Sequence, residues 1–466
     1  MLKLINTISK KKEEFIPLSK DKVTIYQCGP TVYSHQHIGN MESVVRGDLI
    51  RRGLIYLGYN VEFTRNITDV GHLVSDEDEG EDKMEKSAKR EGLSPIEIAN
   101  KYSEIFHNDL TKLNCLPPDN ETKASEYIEE MANMVQVLLD KGFAYATSKA
   151  IYFDVTKFPN YNFLNGQNLK MNIQGLGHGS EEDTEKKHSF DFALWFFKID
   201  SHKNALQTWE QRFVGIEQTT LAGFPGWHIE CSAMSKATLG ETIDIHIGGV
   251  EHIQVHHTNE IAQSESANGV KFVNYWLHHE MLDFDGGKMS KSKGNIYTLD
   301  DLINKGYDPL VLRYFFLQAH YRSKQNFTFE ALDGAGTAEQ RLIKLIKHLK
   351  FTTGGVILLE YKKKFIASLE DDINIPKALS FAWDVLKDTE LEDNDKFATV
   401  NDFDRVFGLK INEKFYEKTD ETSSSPEIVE LIKAREKARN SKDWPKADRI
   451  RKELKVKYDY EVMDKK

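Results

Sequence analysis

The sequence predicts an α/β protein: a parallel sheet interleaved with helices, interrupted by an insertion, and followed by a mostly helical region. Three observations carry this. KVTIYQC (Lys22–Cys28), a run of β-formers, passes through GPTVYSHQHIGN into a stretch with apolar residues at helical spacing (Val44, Val45, Leu49, Ile50, Leu54), and then into VEFTRNITDV. A strand–helix–strand unit of this length predicts parallel pairing. TIDIHIGG (Thr242–Gly249) is a second strong strand, with a helix expected from about Ile253 to Asn268. From Asp308 onward LVLRYFFLQAHY, FEALDGAGTAEQRLIKLIKHLK and KALSFAWDVLKD are helical in pattern.

The stretches between these anchors are weaker. Residues 94–142 read as mostly helical with a break at LPPD (Leu116–Asp119), where two prolines end a helix. Residues 143–225 read as irregular, and GLGHGSEEDTEKKH has a linker's composition. We therefore expect a catalytic region over 1–325 with an insertion at roughly 112–226, a helical bundle over 326–425, and a basic helical segment over 426–466. SSSPE (Ser423–Glu427) is the expected hinge, and Pro445 suits the first turn of the last helix.

Composition narrows the class. The chain has 466 residues, is 40% hydrophobic and 29% charged, and fits a soluble globular protein of two or three domains. No run of apolar residues reaches the eighteen needed to span a bilayer. The N-terminus lacks the apolar core of a signal peptide. Three cysteines (Cys28, Cys115, Cys231) argue for a reducing cytoplasm and against a disulfide framework, leaving metal binding or catalysis open. The net charge of −11 disfavours a general polyanion binder, but the end of the chain (KAREKARNSKDW, KADRIRKELKVK) is locally basic.

Three short stretches carry chemistry. In QVHHTNE, His256 and Glu260 lie four apart and share a helix face, which leaves His257 pointing elsewhere. HIGN (His37–Asn40) falls at a strand-to-helix turn; free backbone N–H groups there favour phosphate, and a capping role explains the same residues. KMSKS (Lys288–Ser292), after a Gly-Gly pair, is a cationic loop suited to closing on a polyphosphate. A surface loop would look similar, but the five-residue string is the more specific signal.

HIGN and KMSKS, in this order and about 250 residues apart, resemble the class I aminoacyl-tRNA synthetases. YQCGPTVYSHQHIGN, RNITDV, PGWHIECSAM, HHTNEIAQSE, KMSKSKGN, GYDPLVLRYFFLQAHYRS and the tail resemble the cysteinyl member of that class over nearly the whole chain. The resemblance implies a Rossmann-type catalytic domain with a connective insertion and a helical anticodon-binding domain. It implies activation of L-cysteine with ATP and Mg²⁺, transfer to tRNA-Cys, and a cytoplasmic monomer away from membranes. It also implies that Cys28, Cys231, His256 and Glu260 hold one Zn²⁺, whose bond to the substrate thiolate separates cysteine from serine. Catalysis falls to His37, Asn40, Lys288 and Lys291. ATP is expected against Pro30, His37, Gly39, Asn40, Gly248, Glu251, Lys288, Ser290 and Lys291, and the amino acid against Gly29, Thr68 and Trp227.

The chain departs from the family pattern at several places. Asn40 stands for the second histidine of HIGH, GHLVSDEDEG for the acidic pair after NITD, Glu251 for an aspartate, and HHTNE for HHENE. Two alternatives share most of these features: a ligase joining cysteine to an amino sugar, as in mycothiol synthesis, and an inactive RNA-binding paralogue. The long helical and basic C-terminus separates the first from a tRNA enzyme.

Overall fold

The computed structural model describes all residues except 72–82, 165, 167–182, 285–295, 352–353, 417–429, 432–433, 436, 440–442 and 459–466. The chain packs as two units, Met1–Leu409 and Lys410–Lys466. The first unit opens with a hairpin of β1 (Lys3–Asn6) and β2 (Lys11–Glu14). Then come β3 (Val23–Gln27), α1 (Ile38–Tyr56), β4 (Val61–Ile67), α2 (Lys83–Glu91), α3 (Pro95–Lys112) and β5 (Asn120–Lys123). A second stretch runs α4 (Ile128–Asp140), β6 (Ala144–Ala146), β7 (Ala150–Phe153), β8 (Phe192–Phe197), β9 (Trp209–Glu210) and β10 (Ala222–Pro225). α5 (Trp227–Leu239), β11 (Ile243–Gly249), α6 (His256–Asn268) and β12 (Val273–His279) return the chain to the first sheet.

That sheet has the order β12-β11-β3-β4-β5 and is parallel throughout. Every residue of β3 and β11 is buried, as expected of strands covered on both faces. From β3 the chain proceeds outward through β4 and β5, then later outward on the other side through β11 and β12. The order therefore reverses between β3 and β11, and the strands' carboxyl ends open a crevice at that seam, the usual ligand position in such sheets.

Two boundaries differ from expectation. Asn120–Lys123 lies within the expected insertion, yet it is the edge strand of the parallel sheet, paired with β4. The described residues of 143–225 are not simply irregular: they include a five-stranded antiparallel sheet, β6-β7-β8-β10-β9, while most of the GLGHGSEEDTEKKH linker lies outside the described residues. Its β8, FALWFF, is buried at all six positions, so it lacks the alternation that marks a one-sided strand. A single apolar cluster joins the sheets through Tyr26, Trp276, Phe153, Trp195 and Phe197, with Met131, Val135 and Ile229 from helices.

After β13 (Leu282–Phe284) the described chain resumes at residue 296 and continues through α7 (Leu299–Asn304), α8 (Pro309–Leu317) and β14 (Gln325–Phe327). Four helices follow: α9 (Phe329–Lys347), α10 (Leu359–Glu370), α11 (Ile375–Lys387) and α12 (Asp393–Phe407). They belong to the first unit, so the boundary expected at 325/326 is not where the packing divides. The second unit begins at Lys410 rather than 426 and includes α13 (Ile411–Tyr416) and α14 (Trp444–Tyr458). The SSSPE hinge lies outside the described residues; Pro445 is the second residue of α14, as expected.

Buried polar ties fix α1 to its surroundings. Asp48 accepts from Arg313 on α8 (2.6 Å), Arg52 (2.8 Å) and the Leu116 N–H (2.8 Å). Arg46 donates to the Phe316 and Ala319 carbonyls, each at 2.6 Å, at the end of α8. At the α10–α11 junction Asp372 and Ile373 hold left-handed φ values of 63° and 50°, which non-glycine residues rarely adopt. The Asp372 carboxylate secures that turn, accepting from the Ile5 N–H, Tyr321 and Arg322.

Candidate metal centre and nucleotide corner

Cys28 is the first residue past β3, and its N–H donates to Ile247 on β11 (3.3 Å), so it stands at the seam where strand order reverses. The next residue, Gly29, donates its N–H to Asn66 Oδ1 (2.8 Å), and any β-carbon there would overlap the Asn66 carbonyl. Only glycine permits that approach. Cys231 comes from the middle of α5, while His256 and Glu260 come from the first turns of α6. The helix expected from Ile253 starts at His256, after a short 3₁₀ turn over Val250–Ile253.

The four side chains converge. Cys28 Sγ is 3.8 Å from Cys231 Sγ and 3.8 Å from Glu260 Oε1. His256 Nε2 is 3.0 Å from Glu260 Oε1, and the four donor atoms all lie within 4.8 Å of one another. A tetrahedral zinc with Zn–S of ~2.3 Å and Zn–N/O of ~2.0–2.1 Å has ligand-to-ligand edges of roughly 3.3–3.8 Å. The donor set fits that ion in chemistry and in spacing. His256 is steadied from behind by His228 (Nδ1 to Nδ1, 2.9 Å) and by Trp227, whose ring centroid lies 4.4 Å away.

The charges are strongly coupled. Hydrogen bonding from Cys28 outweighs burial and, with His256 nearby, brings the Cys231 thiol down to about 7. Cys28 itself is pushed well up, first by burial and then by Cys231 and Glu260. Burial works against ionising both His256 and Glu260, but each stabilises the other's charge: His256 rises to about 10, and Glu260, also facing His246, falls well below its usual range.

His257 does not point elsewhere. Its Nε2 lies 3.5 Å from Cys28 Sγ and 3.8 Å from Glu260 Oε1. His246 of β11 reaches the same carboxylate from the other side, Nε2 to Oε2 at 2.9 Å. Neither histidine was expected here. His246 alternates with isoleucines in IDIHIGG, which reads as an ordinary core strand, and its neighbours come from distant sequence.

Thr68 is 2% exposed, and its hydroxyl donates to Glu230 (2.9 Å) while accepting from Asn66 (3.2 Å). Asn66 and Glu230 thus join the wall of the site, although no sequence pattern singled them out. Pro30 accepts the Thr68 N–H through its carbonyl (3.0 Å).

The HIGN stretch forms the start of α1. His37 is the N-cap: its Nδ1 accepts from the Asn40 N–H (3.2 Å), and Asn40 Oδ1 accepts from the His37 N–H (3.2 Å). The capping explanation therefore holds. With Nδ1 an acceptor, the neutral ring carries its proton on Nε2, and the first turn, including Gly39, contains no acidic residue. The segment after KMSKS returns beside this cap, with Thr298 bridging His37 and the Ile38 N–H donating to Tyr297 (2.8 Å). Lys288, Ser290 and Lys291 lie outside the described residues. Gly248 is the penultimate residue of β11, and Glu251 follows on the 3₁₀ turn, exposed, with its carboxylate over Gly249.

Comparison with solved structures places this architecture. The chain is similar to LeuRS from Agrobacterium radiobacter, solved with tRNA and LeuAMS (TM-score 0.58, 10% identity, covering 87% of this chain and 85% of that one). It is also similar to Mycobacterium tuberculosis methionyl-tRNA synthetase with methionyl-adenylate (TM-score 0.55, 14% identity, 85% and 92%). The family described as "tRNA synthetases class I (C) catalytic domain" matches residues 14–337, so the molecule is a class I tRNA synthetase. Two curated relatives narrow this: the cysteine–tRNA ligase of Treponema denticola (40% identical, 97% of this chain, 96% of that one) and cysteine–tRNA ligase 1 of Burkholderia lata (42%, 97% and 93%). The chain belongs to the cysteine–tRNA ligase family, and it is a ligase.

Proposed function

We propose that the chain activates L-cysteine with ATP and transfers it to the 3′ end of tRNA-Cys, as a cytoplasmic monomer, and that Cys28, Cys231, His256 and Glu260 hold one zinc ion that selects the amino acid. The observation that carries this reading is the four-donor cluster at the strand-order reversal, beside the capped start of α1. When bound, zinc lowers a thiol's pKa and favours soft sulphur over a serine hydroxyl. A shape-based pocket separates such near-isosteres poorly.

The chain's own residues then do the positioning. Trp227, its ring tilted against His256, covers the amino-acid side, and Gly29 lets the backbone approach closely. Thr68 acts through its bridge between Asn66 and Glu230. His37 presents its Nε2–H, and the α1 terminus its dipole, to the triphosphate with its Mg²⁺. Gly39 and Pro30 shape that corner, Gly248 admits the nucleotide, and Glu251 accepts from its ribose. Lys288, Ser290 and Lys291 close over the pyrophosphate. The substrate carboxylate is already ionised and attacks the α-phosphate in line, so no general base is required and electrostatic positioning carries the rate.

Incubating the protein with labelled cysteine, ATP, Mg²⁺ and total tRNA tests the reading. Charging of one tRNA species, with serine inert, is the expected result. Cysteine-dependent ATP–pyrophosphate exchange without labelled tRNA would overturn it in favour of a small-molecule ligase.

A further inference from the structure

We propose that the cation has a second position in this centre, held by Cys28, His246, His257 and Glu260; the inference rests on the zinc reading above. These four donor atoms also lie within 4.8 Å of one another, and His246, His257 and Glu260 are fully buried. Their spacing suits a metal as well as the first set does: His257 Nε2 to Cys28 Sγ is 3.5 Å, and His257 Nε2 to Glu260 Oε1 is 3.8 Å.

The surroundings are built for this. Metal-bound histidines normally have their second nitrogen anchored. His257 Nδ1 meets His278 Nε2 at 2.7 Å, and His278 Nδ1 meets Thr7 Oγ1 at 2.8 Å. The Trp276 ring backs both ligands, 4.5 Å from His246 and 4.9 Å from His257. A β-carbon at Gly248 would collide with the His257 ring, so the glycine leaves the space that the ring occupies. His246 is held differently: its Nε2 faces the Glu260 carboxylate, its ring stacks on Trp276, and its buried Nδ1 has no hydrogen-bond partner.

The Glu260 carboxylate faces both sets: Oε1 lies 3.0 Å from His256 Nε2 and 3.8 Å from His257 Nε2, and Oε2 lies 2.9 Å from His246 Nε2. Because Cys28 and Glu260 belong to both sets, one ion serves both. The first set supplies two thiolates and a carboxylate, the second one thiolate and a carboxylate. With a divalent ion the second set is neutral and the first carries a net negative charge. An anionic substrate sulphur joins the neutral arrangement with less repulsion. His246 and His257 thus resolve the crowding that four protein ligands plus substrate would create.

The test uses the full-length chain, stripped and reloaded with zinc, and reads metal stoichiometry, affinity by chelator competition, and sulphur count by X-ray absorption. We expect Cys231→Ser to retain one zinc with a single sulphur neighbour, and Cys231→Ser/His257→Gln to bind it at least roughly tenfold more weakly. In wild-type protein without cysteine, the mean sulphur count should fall below two, and His257→Gln should raise it to two. A folded Cys231→Ser protein without zinc, a double variant that matches it, two ions per chain, or a wild-type count of two unaffected by His257→Gln would overturn the second position. Full zinc retention by Cys28→Ser would instead overturn the metal reading itself.

Discussion

Cys231 and Cys115 show how surroundings decide what a thiol can do. Cys231 has a sulphur and an imidazole beside it and sits near 7. Burial pushes Cys115 up to about 12, and Asp48 adds to this, although Arg313 Nη1 approaches its sulphur at 3.7 Å. Only the thiolate alkylates. At pH 8 Cys115 should therefore react with iodoacetamide ~1,000-fold or more slowly in the folded protein than in urea, with a rate still rising with pH beyond 10. Peptide mapping of the labelled protein measures this, and equal rates would refute it. The same scale explains what could be read beforehand. His256 and Glu260 were legible because a spacing of four marks one helix face. His257 was not, since spacing cannot reveal that its ring fills the space left by Gly248 and comes within 3.5 Å of Cys28 Sγ.

At the scale of elements, α1 has two loads. Its first turn carries the His37–Asn40 cap that the proposed function sets against the triphosphate, while its interior is pinned by Arg46 and Asp48 to α8 and the turn after α3. Burial alone would raise the Asp48 carboxyl; Arg313 and Arg52 outweigh it and hold the group below its usual range. A depressed folded pKa contributes stability that is fully present above the unfolded value near 4 and is lost as pH falls from there through the lower folded value. Asp48→Asn should cost about 3–5 kcal/mol at neutral pH, because Arg313 is left buried without its carboxylate. Urea unfolding would measure the loss, which should shrink at low pH. The parallel strands and α1 were legible from periodicity. The antiparallel sheet was not, because its strands span two to six residues and β8 is apolar throughout.

For the whole molecule, charge is unevenly distributed. Lys410–Lys466 carries sixteen Lys and Arg against thirteen Asp and Glu, although the chain's net charge is −11. On α14, Ala447, Ile450 and Leu454 are buried while Lys446, Arg449 and Lys452 are exposed. No described helix is long and apolar enough to cross a membrane. If this segment grips tRNA, Lys446→Glu with Lys452→Glu should leave cysteine-dependent ATP–pyrophosphate exchange intact and raise the KM for tRNA. The dependence of log KM on log salt should flatten by about one for each phosphate contact removed. An unchanged KM and slope would exclude these side chains. The division into units at 409/410 was not legible, since a helix ends at Phe407 and another begins at Ile411, as at any other helix junction of this region, and only packing sets this one apart.

The wide separation of Cys28 from residues 231–260 also sets a clock. The first ligand leaves the ribosome with its strand, but the last follows 232 residues later, on the helix that succeeds β11. At ~5–20 residues per second, that gap lasts on the order of ten to fifty seconds. For most of that interval, until Cys231 emerges, Cys28 lacks every partner, and the register between β3 and β11 is what brings it to them. Under the zinc assignment proposed above, capture of the ion would reward only chains whose central strands have paired correctly, making metal binding a proofreading step on the sheet.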